Sequence, residues 1–252
     1  MPTLTVAALL APMPGSVIAA DEPAPQGLTL EARALLAGHV RPGAWTAVDV
    51  DVANDGPSLS GELRVRSPQQ GRSVYGIPVE LPSGSRKRYT LYAQPPLFGT
   101  RLHVDLVSGG RAVLTRDVAI KSHDAYAPII AVIAERPEVL LGGVHDAVED
   151  LARRQFEGSA ATVITLAPSD LPARVEAWSA VDRVVWQDID PRQLSADQAE
   201  ALRLWLSAGG RLTVFGGTTG IGTVSGFPAD LLPFVPTATI DVPAADLQGA
   251  LG

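Results

Sequence analysis

Along the first half of the chain, apolar and polar residues alternate. In Trp45-Thr46-Ala47-Val48-Asp49-Val50-Asp51-Val52 the valines at 48, 50 and 52 fall on one side and Asp49 and Asp51 on the other. A period of two is the signature of a strand with one face buried. The same period runs through 61–67, 73–80, 86–93, 100–107 and 111–120, with Leu63 and Val65 set against Glu62, Arg64 and Arg66. Asn54-Asp55-Gly56-Pro57 and Ser108-Gly109-Gly110 carry the residues that turns require, the second as a tight hairpin. Many short strands between Gly/Pro turns predict an all-β sandwich over residues 28–121, immunoglobulin-like in its layers only, because the Cys…Trp…Cys pattern is missing.

Beyond a joint at 122–128 the pattern changes. Ile129-Ile130-Ala131-Val132-Ile133-Ala134 is continuously apolar, as expected of a strand covered on both faces. A helix is expected from Gly143 to Phe156, with Val144, Ala147, Val148 and Leu151 on one face. Further strands are expected at 161–166, 181–187 and 211–215, and a short helix or turn at 171–178. Between the last two strands lies the best-marked helix. Ser195 with Gln198 has capping-box spacing, Ala199, Leu202, Trp205 and Leu206 form an apolar stripe, and Gly209-Gly210 supply the stop. Strand–helix–strand at this spacing is a parallel crossover, so residues 129–242 read as a small α/β domain with a mainly parallel sheet, flavodoxin-like and three-layered. A last strand at 238–242 and a tail at 243–252, read as a truncation point, complete the chain.

Ahead of the sandwich, an apolar run from Leu4 to Leu10 is followed by Pro12, Pro14 and Gly15, then Val17-Ile18-Ala19-Ala20 before Asp21. This reads as a signal peptide over 1–20 and a linker over 21–27, and implies export to the outer face of the cell envelope. No Lys or Arg precedes the run, which leaves a misplaced start or an amphipathic appendage as the alternatives.

Composition narrows the chemistry. Hydrophobic residues make up 46%, enough for a packed core. With 27 acidic against 20 basic residues the formal charge is -7, and the densest basic cluster is Arg86-Lys87-Arg88, which argues against a nucleic-acid partner. That cluster reads as a solvated strand edge, with ligand contact as the alternative. There is no cysteine, hence no thiolate nucleophile and no sulfur-ligated metal. The four histidines, His39, His103, His123 and His145, show no paired ligand spacing, so no metal site and no cofactor is expected. No G-x-S-x-G elbow is present.

In an open parallel sheet, ligands sit beyond the carboxyl ends of the strands. That rule places Glu135 and Arg136, the turn Pro168-Ser169-Asp170, Asp188 and Asp190, and Gly216, Gly217, Thr218 and Thr219 near one rim. Asp188 and Asp190 read as turn residues, with a cation site or an acid–base pair as the alternative. Gly216 to Gly222 reads as a loop, with a pocket wall or an anion cradle as alternatives; it lacks the Lys of a phosphate loop. Trp178, Trp186 and Trp205 are expected in the core. Trp45, Tyr75, Tyr89 and Tyr92 read as core, or as an aromatic patch for carbohydrate.

Trp186-Gln187-Asp188-Ile189-Asp190, together with Leu194 through Gly217 (LSADQAEALRLWLSAGGRLTVFGG), resembles the class I glutamine-amidotransferase-like domains of large bacterial cell-envelope proteins. The resemblance covers roughly residues 125–240. It implies a β-sandwich ahead of the α/β domain, with membrane attachment only through the leader or through sequence beyond this chain. Active members use a Cys nucleophile with His and Glu. This chain has no cysteine, so the resemblance implies a degenerate, non-catalytic module that binds an envelope protein, peptide or glycan. The alternatives are a carboxylate- or metal-dependent hydrolase built on the sheet rim, and a structural spacer.

Overall fold

The computed structural model describes residues 27–66, 74–138, 161–215 and 220–233. The leader, most of the linker, the helix expected at 143–156, Gly216 to Thr219, the strand expected at 238–242 and the tail lie outside the described residues.

The chain folds as a β-sandwich-like arrangement of antiparallel sheets followed by a smaller region with a mainly parallel sheet. One antiparallel sheet has the order β1-β3-β6 and the other β5-β4-β7-β8. Their strands are β1 (Leu28–Ala34), β3 (Thr46–Asn54), β4 (Leu59–Arg66), β5 (Val74–Leu81), β6 (Ser85–Ala93), β7 (Arg101–Ser108) and β8 (Arg111–Ala119). Alternation drives the assembly. Val48, Val50 and Val52 of β3 are buried against Leu63 and Val65 of β4 and Leu102, Val104 and Leu106 of β7, while Asp51 stays exposed. Each such side chain contributes roughly 1.5–3 kcal/mol by leaving water. Gly109 and Gly110 both take positive φ (59° and 79°), which lets two residues close the β7–β8 hairpin with the twist its strands need. At the other end Asn54, fully buried, donates to the carbonyls of Pro57 and Leu81 and accepts from the Gly56 amide, so the turn leaves no polar group of this side chain unpaired.

The expected joint is tied down at its start. Lys121–Ser122 form a short strand, β9, parallel to β2 (His39–Val40), and the His123 amide donates to the Val40 carbonyl at 3.0 Å. A linker reading missed this because two-residue strands leave no periodic trace in a sequence.

The second sheet runs β11-β10-β12-β13, all parallel: β10 (Ile129–Ala134), β11 (Thr162–Thr165), β12 (Arg183–Gln187) and β13 (Arg211–Phe215). Strand β10, central and paired on both sides, is the most apolar and the most buried. The helix between β12 and β13, α1 (Ala196–Ser207), forms as its ends dictate. Ser195 accepts from the Gln198 amide and Gln198 Oε1 accepts from the Ser195 amide, closing the capping box. At the far end the Gly209 amide reaches the Leu206 carbonyl and the Gly210 amide the Trp205 carbonyl, the double bond of a Schellman stop. Gly209 needs its positive φ of 103° for this, and a Cβ on Gly210 would lie 2.3 Å from the Trp205 ring. The buried face of α1 is Ala201, Leu202 and Trp205. A second, roughly two-turn helix, α2 (Gly220–Gly226), occupies part of the stretch expected as loop. Its glycine-rich composition hides it, since glycine weakens helices intrinsically. Trp178, Trp186 and Trp205 lie in the α/β core, as expected.

Several groups lock the two regions together. Leu36, next to β1, belongs to the α/β core cluster. Arg41 donates to the carbonyls of Ala127 and Ser179 and grips the Asp182 carboxylate with both terminal nitrogens, while Asp182 also accepts from the Ile129 amide at the start of β10. Arg33 spans to Asp170 and the Ser169 carbonyl. Among the described residues no helix is long and apolar enough to cross a membrane.

Candidate functional site

The rim at the carboxyl ends of β10 and β12 is a depression of about 390 Å³. Glu135, Asp188 and Asp190 line it together with Gln193 and Thr223. Three of the expected rim residues therefore converge. Arg136 is exposed and does not line the depression, and Gly216, Gly217, Thr218 and Thr219 are outside the described residues.

The turn after β12 sets the acids in place. Asp188 sits in the left-handed region, φ 56°, a conformation aspartate tolerates better than most side chains. Its carboxylate accepts from Gln187 Nε2 at 3.1 Å, and Trp186 Nε1 donates to the Ile189 carbonyl at 2.7 Å, so the strand's last side chains fasten the turn that follows. Asp190 caps the 3-10 turn Pro191–Gln193, accepting from the Arg192 amide, and its two oxygens each lie 3.0 Å from Arg192 Nε. The Arg192 guanidinium holds this carboxyl below its usual range. A Cβ at Gly226 would stand 2.6 Å from Asp190 Oδ1, so α2 closes on this turn only because position 226 has no side chain.

The depression does not end at the rim. Gln193 also lines a second one, about 660 Å³, whose walls include Ser169, Ser195 and Gln198 from the α/β region and Asp49 and Thr90 from the outer face of β3 and β6. Arg88 connects that space in turn to a third, about 480 Å³, on the same sheet face beside Asp51 and Lys87. Gln193 lines the first and second and Arg88 the second and third, so the three adjoin as an interrupted furrow of mixed polar and apolar lining from the parallel-sheet rim across the junction and onto the sandwich. Arg33 pins its middle: it reaches Asp170, the Ser169 carbonyl and Asp49 at once. Gln198 does the same from below, donating to the carbonyls of Pro168 and Leu171 while it closes the helix cap.

The furrow offers carboxylates, guanidinia, amides and hydroxyls among apolar side chains such as Leu35, Leu171 and Leu194, groups that can hydrogen-bond and pack against an extended molecule. It holds no thiol, because the chain has no cysteine. Among the described residues no three His, Asp or Glu side chains gather as a metal-binding group. The basic run Arg86-Lys87-Arg88 lies on β6, with Arg88 paired to Asp51 and Arg86 to Asp55. Of the aromatic residues considered for carbohydrate, Trp45 packs edge-on against Tyr75, Tyr92 lies beneath the Arg174 guanidinium, and Tyr89 packs on the sandwich core. Asp49 and Asp51 were legible as outward-facing. Nothing in the sequence signalled that the face they share would meet the α/β region. The histidines also depart from expectation: His39 and His123, 84 positions apart, touch, with His39 Nδ1 2.7 Å from His123 Nε2.

Residues 27–121 match the family model described as Domain of unknown function (DUF8726), a span that coincides with the sandwich. The description assigns no activity. The comparison with curated proteins gives no match. Among solved structures, similarity is found to the alkylpurine DNA glycosylase AlkC of Pseudomonas fluorescens, at 6% identity over 38% of this chain and 30% of that one, TM-score 0.28. The CARDB domain of the PF1109 protein of Pyrococcus furiosus is similar at 20% identity over 38% of this chain and 90% of that one, TM-score 0.27. The human CEP192 PapD-like domain is similar at 14% identity over 49% and 99%, TM-score 0.23. Likeness at this level carries no argument about what this chain does.

Proposed function

We propose that the chain is an exported, non-catalytic module of the cell envelope whose furrow holds an extended polar ligand, the glycan strand or peptide of the wall. The observation that carries this reading is the run of adjoining depressions from the sheet rim to the sandwich face, with Gln193 lining the two that meet at the junction. The state of Asp190 supports it. A carboxylate that caps a turn and is paired to Arg192 is a poor base. The leader-like first twenty residues support export, and membrane attachment through that leader or through sequence beyond this chain belongs to the same reading. The order β11-β10-β12-β13 is, in order of occurrence, 2-1-3-4, the opening of the flavodoxin-like order 2-1-3-4-5. It supports kinship with amidotransferase-like domains whose nucleophile this chain lacks.

A hydrolase is the second reading, favoured by Glu135 and the left-handed Asp188 in one depression. One experiment separates them. Purified peptidoglycan sacculi are sedimented with the protein, and the supernatant is analysed for released fragments. The binding reading expects the protein in the pellet, retention at least ~10-fold weaker for Arg88→Glu with Gln193→Ala (a loss of about 1.4 kcal/mol), and no fragments. Fragments that disappear with Asp188→Asn would establish the hydrolase instead. Neither retention nor release leaves the structural spacer.

A further inference from the structure

At the junction, four side chains from different parts of the chain form a line. Lys121 Nζ of β9 lies 3.4 Å from His39 Nε2 of β2. His39 Nδ1 lies 2.7 Å from His123 Nε2, and His123 Nδ1 lies 3.4 Å from Thr162 Oγ1, at the start of β11 in the parallel sheet. The imidazole planes are 13° apart. His39 is 9% exposed.

The positions of the protons follow. An ammonium can only donate, so His39 Nε2 accepts and the His39 hydrogen is on Nδ1. That hydrogen points at His123 Nε2, which accepts, so the His123 hydrogen is on Nδ1 and is offered to Thr162. The line Lys121→His39→His123→Thr162 thus has one polarity, and it requires both rings to be neutral. Adding a proton to His123 sets two N–H groups against each other at 2.7 Å. Adding one to His39 turns an N–H toward the Lys121 ammonium. Arg41 and Lys121 add positive charge beside His123, and Asp124 alone opposes them.

We infer that this line is an acid-sensitive latch of the neck: it holds β2 to the chain that leaves β9 for the α/β region while both histidines are neutral and loosens when either takes a proton, the Arg41 and Arg33 ties remaining in place. The electrostatics point the same way. Burial, then Lys121 and then His123 bring His39 down to about 4, and burial followed by Arg41 lowers His123 as well. For groups whose affinity for protons falls on folding, the neutral form stabilises the fold. The contribution is complete above the unfolded value of about 6.5, declines as pH falls, and is gone once pH passes the folded value near 4. Within that window His39 weakens the closed state by up to about tenfold per pH unit, and His123, also lowered, acts in the same direction. The latch is independent of what the furrow binds, and its test does not involve a ligand.

Two measurements decide it. The chain has no cysteine, so spin labels at Ser83→Cys and Ser207→Cys, one in each region, report their separation without background. The expected result is a narrow distance distribution at pH 7.5 that broadens between pH 6 and 4.5. In His39→Gln/His123→Gln, whose amides keep the accept-and-donate polarity but cannot be protonated, the distribution stays narrow at both. Equal broadening in the two proteins overturns the latch. Should the double variant fail to fold, long-range proton–nitrogen spectra of the wild-type imidazoles serve. Both rings must carry hydrogen on Nδ1 at neutral pH. An Nε2–H form of either, or a midpoint for His39 at or above 6.5, overturns it equally.

Discussion

The two regions of this protein solve the same packing problem in different ways. In the sandwich the backbone polar groups are served chiefly by the strands themselves. Antiparallel ladders of seven to nine residues pair the backbone, and alternation sends one side chain in two to the core. In the α/β region the strands are four to six residues long, and much of the chain between them is turn. There, tryptophans take over the fastening. Trp178 Nε1 donates to the Pro172 carbonyl, Trp186 Nε1 to Ile189 and Trp205 Nε1 to Val181, so each indole fills the core with its body and anchors a connecting segment with its one donor. Stability is distributed in the first region and concentrated in the second. A concentrated design is more vulnerable to single substitutions.

That contrast can be broken by mutation. Trp186→Ala should be the most severe, removing a fully buried side chain and the bond that holds the Asp188 turn, at a cost of about 3–5 kcal/mol. The α/β amide signals should collapse while sandwich signals persist. Leu63→Ala, equally buried in the sandwich, should lower the melting temperature without dissolving any one element. Arg41→Ala comes next, at about 2–3 kcal/mol for hydrogen bonds to a charged group. Because Arg41 reaches Ala127, Ser179 and Asp182, urea should then unfold the two regions in separate steps; a single sharp step would show that the apolar contacts at Leu36 suffice. Gly210→Ala should cost about 2 kcal/mol through collision with Trp205, against a negligible effect for alanine at the exposed Ser207. Smallest is Ser195→Ala, about 1 kcal/mol for the lost cap, read as faster amide exchange in the first turn of α1 alone.

The same contrast explains what the sequence made visible. Strand β3 is legible because its valines repeat every second residue, and α1 because its cap, its stripe and its glycines all agree. Position 129–134 is legible from sheer apolarity. What stayed hidden depends on distance along the chain or on backbone conformation. His39 and His123 carry no mark of each other across the whole sandwich. Gly220–Gly226 looks like loop because helix formation there comes from packing against the Asp190 turn and not from propensity. The rim could be placed by a rule about parallel sheets, and Glu135, Asp188 and Asp190 do meet there. The furrow could not, since half of it belongs to the outer face of β3 and β6, and only the docking of two regions makes that face a wall.

The parallel pairing of β2 with β9 also has a mechanical meaning. The chain enters this ladder at His39 and leaves it, toward the α/β region, at Ser122. Tension drawn between those two points pulls the strands from opposite ends, so both rungs bear the load together in shear instead of peeling one after the other. A short clasp placed this way, at the neck between two bodies, resists stretching along the chain far better than its length suggests.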